Sequence, residues 1–188
     1  MDTDLTDAGT PGEPLDPSGL ERLASAITRS NPSGRVVVLI DGRSGSGKTV
    51  LAQGLAPRLG AQLVSLDDVY PGWDGLEAGS TAVHETMLRS RDPGWRRWDW
   101  ATDGPAEWHP IDPERPLIVE GCGALSRTNR AMAGFGIWLE LDAAERRRRA
   151  SARDLGRFDP YWDRWAAQED AFDAREHPRR LADLVIAA

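Results

Sequence analysis

The stretch that most restricts how this chain can fold is Val36 to Gly60, VVVLIDGRSGSGKTVLAQGLAPRLG. Val36 to Ile40 is an unbroken apolar, β-branched-rich run, the pattern of a strand buried on both faces in a parallel sheet. Lys48 to Leu59 places Leu51, Leu55 and Leu59 on one helical face, and Gly60 stands where a helix stop is expected. Between strand and helix, Gly42-Arg43-Ser44-Gly45-Ser46-Gly47-Lys48-Thr49 fits the Walker A pattern G-x-x-x-x-G-K-[ST] in full. Glycines at these places let backbone N–H groups turn inward around an anion, and the helix directs its positive end at the same point. Gly42, Ser44, Gly45, Ser46, Gly47, Lys48, Thr49 and Val50 are therefore expected to hold the phosphates of a nucleotide.

Lys48 is the only lysine among the 23 Lys and Arg residues. A compact ammonium on a linear stem fits against β- and γ-phosphates where a planar guanidinium fork does not. Lys48 is thus expected to be catalytic, with the Thr49 hydroxyl as a Mg2+ ligand. The same scarcity argues against Ras-like GTPases, whose N-K-x-D motif needs another lysine. No L-S-G-G-Q stretch occurs, which argues against a transporter-type ATPase.

The remaining periodicities give strands at Gln62–Leu66, Leu117–Val119, Gly136–Leu141 and Leu184–Ile186. Helices are expected at Leu20–Ile27, Leu125–Ala133, Ala143–Leu155 and Pro160–Arg175, the last with Trp162, Trp165 and Phe172 inward. Alternating strands and helices predict an α/β domain with a parallel sheet. Residues 1–18 read as a flexible N-terminal tail and residues 19–188 as one domain. Pro71 to Pro110 breaks the alternation. It holds five of the eight tryptophans and two of the three histidines, and only Thr81–Arg89 looks helical. So many aromatics in an irregular stretch predict a folded insert, 71–110, beside the site. Its Trp95, Trp98, Trp100 and Trp108 would form the insert's own small core or offer rings for a flat acceptor. Neither His84 nor His109 has partners at zinc-ligand spacing, and both read as polar contacts to an acceptor.

Two acidic positions fall where a parallel sheet gathers ligands, at the carboxyl ends of strands. Glu120 ends the Leu117 strand and is expected near Mg2+. Asp67 and Asp68 follow the second strand, where one carboxylate would take a proton from an acceptor hydroxyl. The segment 145–157 carries Arg146 to Arg149, Arg153 and Arg157. Arg149, Arg153 and Arg157 share a helical face suited to closing over phosphates. Arg146 and Arg147 read as a solvated face. Cys122 reads as a small packed residue.

The formal net charge of −7 excludes a nucleic-acid duplex as an expected partner. One cysteine leaves no intramolecular disulfide, which suits the cytoplasm. No apolar run approaches the ~18 residues of a membrane span, and the acidic N-terminus lacks the pattern of a signal peptide. The expected assembly is a monomer or a homodimer.

Taken together, GRSGSGKT, DDVY after the second strand, LIVEG and RRRRASARD resemble the uridine kinase-like branch of the phosphate-loop nucleoside and nucleotide kinases, over roughly residues 35–187. The resemblance implies a five-stranded parallel sheet of order 2-3-1-4-5, an arginine lid and Mg2+-dependent phosphoryl transfer from ATP, or GTP, to a hydroxyl. By position, Asp67 matches the base, Tyr70 an acceptor contact, Glu120 the Mg2+-side carboxylate, and Arg149 and Arg153 the lid arginines. His84, Trp98 and Trp108 complete the expected acceptor contacts. The insert has its own character, so the acceptor stays open beyond a small, nucleoside-like hydroxyl compound. An antibiotic-inactivating phosphotransferase and a regulatory protein with slow ATPase activity are the alternatives.

Overall fold

The computed structural model describes residues 15–31, 34–156 and 158–187. Along the chain run α1 (Pro17–Ser30), β1 (Val37–Gly42), α2 (Lys48–Leu59), β2 (Gln62–Ser65), α3 (Leu76–Ala82), β3 (Gly94–Asp99), β4 (Gly104–Pro110), β5 (Leu117–Glu120), α4 (Arg127–Ala131), β6 (Phe135–Glu140), α5 (Ala143–Asp154), α6 (Trp162–Glu176), α7 (Pro178–Leu181) and β7 (Leu184–Ala187). The expected tail falls mostly on residues 1–14, outside the described residues. Its last two residues belong to α1, because the Asp16 carboxylate caps the helix by accepting from the Gly19 N–H at 2.7 Å and Pro17 suits its first turn.

Five parallel strands form one sheet in the order β2-β5-β1-β6-β7. These numbers differ from the expected 2-3-1-4-5 because an antiparallel hairpin, β3–β4, stands between β2 and β5 in the chain. Numbered without the hairpin, the strands of the sheet follow that sequence. β1 is buried along its whole length. Val38 and Ile40 pack with Leu23, Ile27 and Leu55 of α1 and α2 on one face, while Leu39 packs with Leu66, Tyr70 and Trp165 on the other. Both faces are covered, so an alternating strand reads as a continuous apolar run.

The insert corrects the expectation of a largely irregular stretch. α3 runs into a π-helical turn, Val83–Met87, and the hairpin follows. β3 reads GWRRWD and β4 GPAEWHP, with Arg97 paired to Glu107 across the ladder at 2.7 Å. Arginine and tryptophan share the solvent-facing positions, so no apolar/polar alternation marked these strands. The insert is tied to α6 by Arg164–Asp74 and Arg175–Glu77, and by Gln168 Nε2 donating to Trp73 O at 2.7 Å. Among the described residues no helix is long and apolar enough to cross a membrane.

Candidate active site

The loop between β1 and α2 is shaped by its glycines. Gly45 has φ +83° and lies so close to α5 that a Cβ there would stand 2.2 Å from the Arg146 carbonyl oxygen. Gly47 has φ +98° and caps α2 without a side chain. The first N–H groups of α2 therefore point out of the helix without a side-chain acceptor, which favours an anion. Lys48 lies almost wholly buried, its Nζ donating to Gly42 O at 2.7 Å and Arg43 O at 3.2 Å.

The end of β5 brings Glu120 against this loop. Its Oε1 accepts from the Thr49 hydroxyl at 3.1 Å and the Ser65 hydroxyl at 2.7 Å. Burial pushes the Glu120 pKa up, opposed by Lys48 and by these hydroxyls. Burial also presses on the charged form of Lys48, yet the Cys122 sulfur and the carboxylates Glu120, Asp41 and Glu169 more than offset it, and the pKa rises. The Cys122 thiol is itself pushed up to about 12 by burial. At neutral pH it is uncharged, so the carboxylates carry the effect. Asp41, the last buried side chain of β1, accepts from the N–H groups of Gly42, Gly123 and Leu125 at 2.6, 3.2 and 2.8 Å. Burial raises its pKa to about 6 against these donors. Asp41 thereby holds the Gly42 end of the loop to the segment after β5.

Two further groups brace the loop from outside. Glu169 of α6, buried, accepts from Ser44 N–H at 2.8 Å and from Arg43 Nε at 3.0 Å. Burial works against its charge, but these donors and Lys48 hold its pKa below the ordinary value. Arg146, expected on a solvated face, is only 8% exposed. It donates to Ser44 O and Leu141 O, each at 3.2 Å, because α5 packs directly on Gly45. Arg147 is exposed, over the Trp162 ring.

These elements enclose a cavity of about 790 Å3. It brings together Ser44, Gly45, Gly47, Lys48, Thr49 and Val50 from the loop, Asp67 and Tyr70 after β2, Glu120 of β5, and Arg149 and Arg153 of α5. Gly42 and Ser46 lie behind the lining, the Ser46 hydroxyl buried with no partner among the described residues. Asp67 is exposed and lines the cavity, whereas its neighbour Asp68 does not. Tyr70 is buried, its hydroxyl donating to Cys122 O at 2.8 Å, so it presents ring and not hydroxyl. Arg149 Nε bonds Glu145 at 2.8 Å on the same helix. Arg157 lies outside the described residues.

Four residues expected at the acceptor lie elsewhere. His84 Nδ1 pairs with Asn129 Oδ1 at 2.8 Å, facing α4. Trp98 and Trp108 sit on β3 and β4 away from the cavity, Trp108 beneath the Arg89 guanidinium. His109 stacks on Trp95 and contacts Glu107. The cavity wall carries Trp100, one of the rings expected to face a flat acceptor, together with Trp73, Phe158 and Trp165. The last three had no signal as site residues, since rings from distant segments have no common spacing.

The residues present fit a nucleotide with Mg2+. The Thr49 hydroxyl and Glu120 carboxylate form a pair of hard oxygen donors beside an open helix end and an ammonium. Mg2+ suits such a sparse set, since it keeps several waters and takes one or two protein oxygens.

No family model and no curated protein sequence matches the chain. Solved structures do. A "putative fructose transport system kinase" from Silicibacter sp. TM1040 superposes with a TM-score of 0.66 at 23% identity, covering 88% of this chain and 98% of that one. The chain has the fold of such kinase-like proteins. A "possible uridine kinase" from Bacillus stearothermophilus gives a TM-score of 0.60 at 22% identity, covering 89% of this chain and 96% of that one. The similarity thus runs through nearly the whole of both neighbours.

Proposed function

We propose that this protein is a Mg2+-dependent small-molecule kinase that transfers a phosphoryl group from ATP, or GTP, to a hydroxyl. The observation that carries the reading is the meeting of three chemistries on one cavity: the Lys48 loop, the Thr49–Glu120 oxygen pair, and the exposed Asp67 carboxylate. The loop amides and Lys48 would hold the donor phosphates, and Thr49 with Glu120 would hold Mg2+, which supplies charge neutralisation between the phosphates. Asp67 orients the acceptor hydroxyl and takes its proton. Arg149 and Arg153 stand on the α5 side of the same cavity, where charge on the transferring group would develop. The names of the two structural neighbours, a fructose transport system kinase and a uridine kinase, favour phosphoryl transfer to a hydroxyl over nucleotide hydrolysis alone.

The test is ADP formation measured with and without acceptors, with nucleotide affinity titrated separately. The expected outcome is nucleotide binding that needs Lys48 and ADP release that rises with an acceptor and needs Asp67. Nucleotide binding with ADP release at the water background for every acceptor would replace the kinase with a regulatory nucleotide-binding protein.

A further inference from the structure

The acceptor end of the cavity is walled by rings. Trp73 is the central platform: it stacks on Tyr161 at 4.1 Å between centroids and 5°, lies parallel to Phe158 at 5.4 Å, and tilts against Trp100 at 4.9 Å. Tyr70 and Trp165 meet edge-to-face at 4.7 Å and continue the wall. These rings come from the segment after β2, the insert, the segment entering α6 and α6 itself.

Trp100 is the telling residue. It is 40% exposed where it lines the cavity. Its indole N–H donates to the Asp67 carbonyl oxygen at 2.9 Å, which fixes the ring beside the proposed base. Trp108 is about as exposed but lines no cavity, so the cavity beside Trp100, and not exposure alone, marks it. Leu155, 85% exposed at φ +53°, adds an apolar side chain to the same lining. The polar atoms of two wall residues are already committed, Trp100 Nε1 to Asp67 O and Tyr70 Oη to Cys122 O. A flat ring system loses least water against such faces, whereas a sugar's hydroxyls would need partners that these two atoms no longer offer.

We infer that the acceptor is a flat aromatic alcohol, whose ring system stacks among Trp73, Trp100 and Phe158 while its hydroxyl reaches Asp67. The inference rests on the kinase reading. In the step it specifies, the alcohol oxygen bonds to the γ-phosphorus of ATP and the bond from that phosphorus to the β–γ bridging oxygen breaks. The hydroxyl proton passes to Asp67, and ADP leaves. The wall thereby selects by ring faces what a sugar site selects by hydrogen bonds.

The experiment compares 2-naphthylmethanol, uridine and fructose as acceptors for ADP release with ATP and Mg2+, and measures binding of each by tryptophan fluorescence. The naphthyl alcohol should have a kcat/KM at least 10-fold above the other two. Trp73→Ala and Trp100→Ala should each raise its KM or Kd at least 10-fold and leave ATP affinity within 2-fold, while Trp73→Phe restores most of the loss. Circular dichroism melting of each variant separates lost stacking from lost folding. A higher kcat/KM for uridine or fructose overturns the aromatic acceptor and leaves the kinase standing. Failure of the naphthyl alcohol to bind, or its failure to react where uridine or fructose does, overturns it too. Binding that depends on Trp73 with no ADP release from any acceptor keeps the ligand class and removes the kinase.

Discussion

The two ends of the cavity are built on different principles. At the donor end the glycine loop and the two carboxylates hang from the carboxyl ends of sheet strands or the loops just after them: the loop after β1, Glu120 on β5, Asp67 after β2. Backbone geometry sets their positions, so spacing in the sequence is rigid and little can vary. At the acceptor end Trp73 and Trp100 come from the insert, and Phe158 and Trp165 from beyond α5. Side-chain stacking sets their positions, and many sequences could build such a wall. One end reads a phosphate chain that does not change; the other is free to be rebuilt around a new acceptor.

If this contrast holds, the largest loss comes from the donor end. Lys48→Ala should remove detectable transfer and weaken nucleotide binding. Lys48→Arg should keep less than about a tenth of the rate, a barrier increase above ~1.4 kcal/mol. The guanidinium fork cannot reproduce an ammonium that bonds two loop carbonyls within a buried site. An arginine variant with near-native turnover would show that the loop tolerates other shapes, and the rigid half of the comparison would fail.

Asp67 stands where the ends meet. Asp67→Asn keeps its size and removes its proton affinity, so turnover should fall ~10²–10⁴-fold with donor affinity almost unchanged. Asp68→Asn should cost far less, because Asp68 does not line the cavity while Asp67 does. Steady-state ADP formation with a separate nucleotide titration distinguishes the two. A dead Asp68 variant beside an active Asp67 variant would reverse the assignment.

The α5 arginines come next. Arg149→Ala and Arg153→Ala should lower turnover more than ATP affinity, with at least one losing ~10²-fold. Native turnover in both would leave α5 as a brace only. That brace is already visible in Arg146, which bonds Ser44 O and packs against Gly45.

How far the sequence discloses each part follows from the same division. The strands, the loop, Glu120 and Asp67 were legible because strand–loop–helix spacing is local and a strand end is a fixed address. The hairpin was not, since β3 and β4 face solvent with Arg, Trp and Pro and show no apolar alternation. Glu169 escaped notice and Arg146 was read as solvated because a hydrogen bond to the Ser44 backbone from 125 or 102 residues away has no local signal. Trp98 and Trp108 were chosen from the right segment with the wrong rotation. Neighbouring strand residues point to opposite sides, and composition says nothing about which side faces the cavity.

The smallest effect on activity should come from His84, an insert residue of the right chemistry in the wrong place. Its Nδ1 meets Asn129 Oδ1 at 2.8 Å, and Asn129 Nδ2 donates onward to Ser80 O at 3.0 Å and Ala124 O at 3.1 Å. Asn129 is fully buried, so these bonds join the insert to α4 where no water can replace them. His84→Ala strands the Asn129 oxygen, a loss of ~1–3 kcal/mol for an unsatisfied buried acceptor. Urea unfolding should show a lower midpoint with an unchanged slope, since the unfolded surface stays the same. Turnover and both KM values, measured well below the new midpoint, should stay within about twofold, because fewer than ~0.5 kcal/mol of barrier would be at stake. A variant that kept its stability but lost acceptor affinity would place His84 in contact with the acceptor. The acceptor end would then extend beyond the ring wall to the π-helical turn, and the contrast between a polar donor end and an aromatic acceptor end would have to be redrawn.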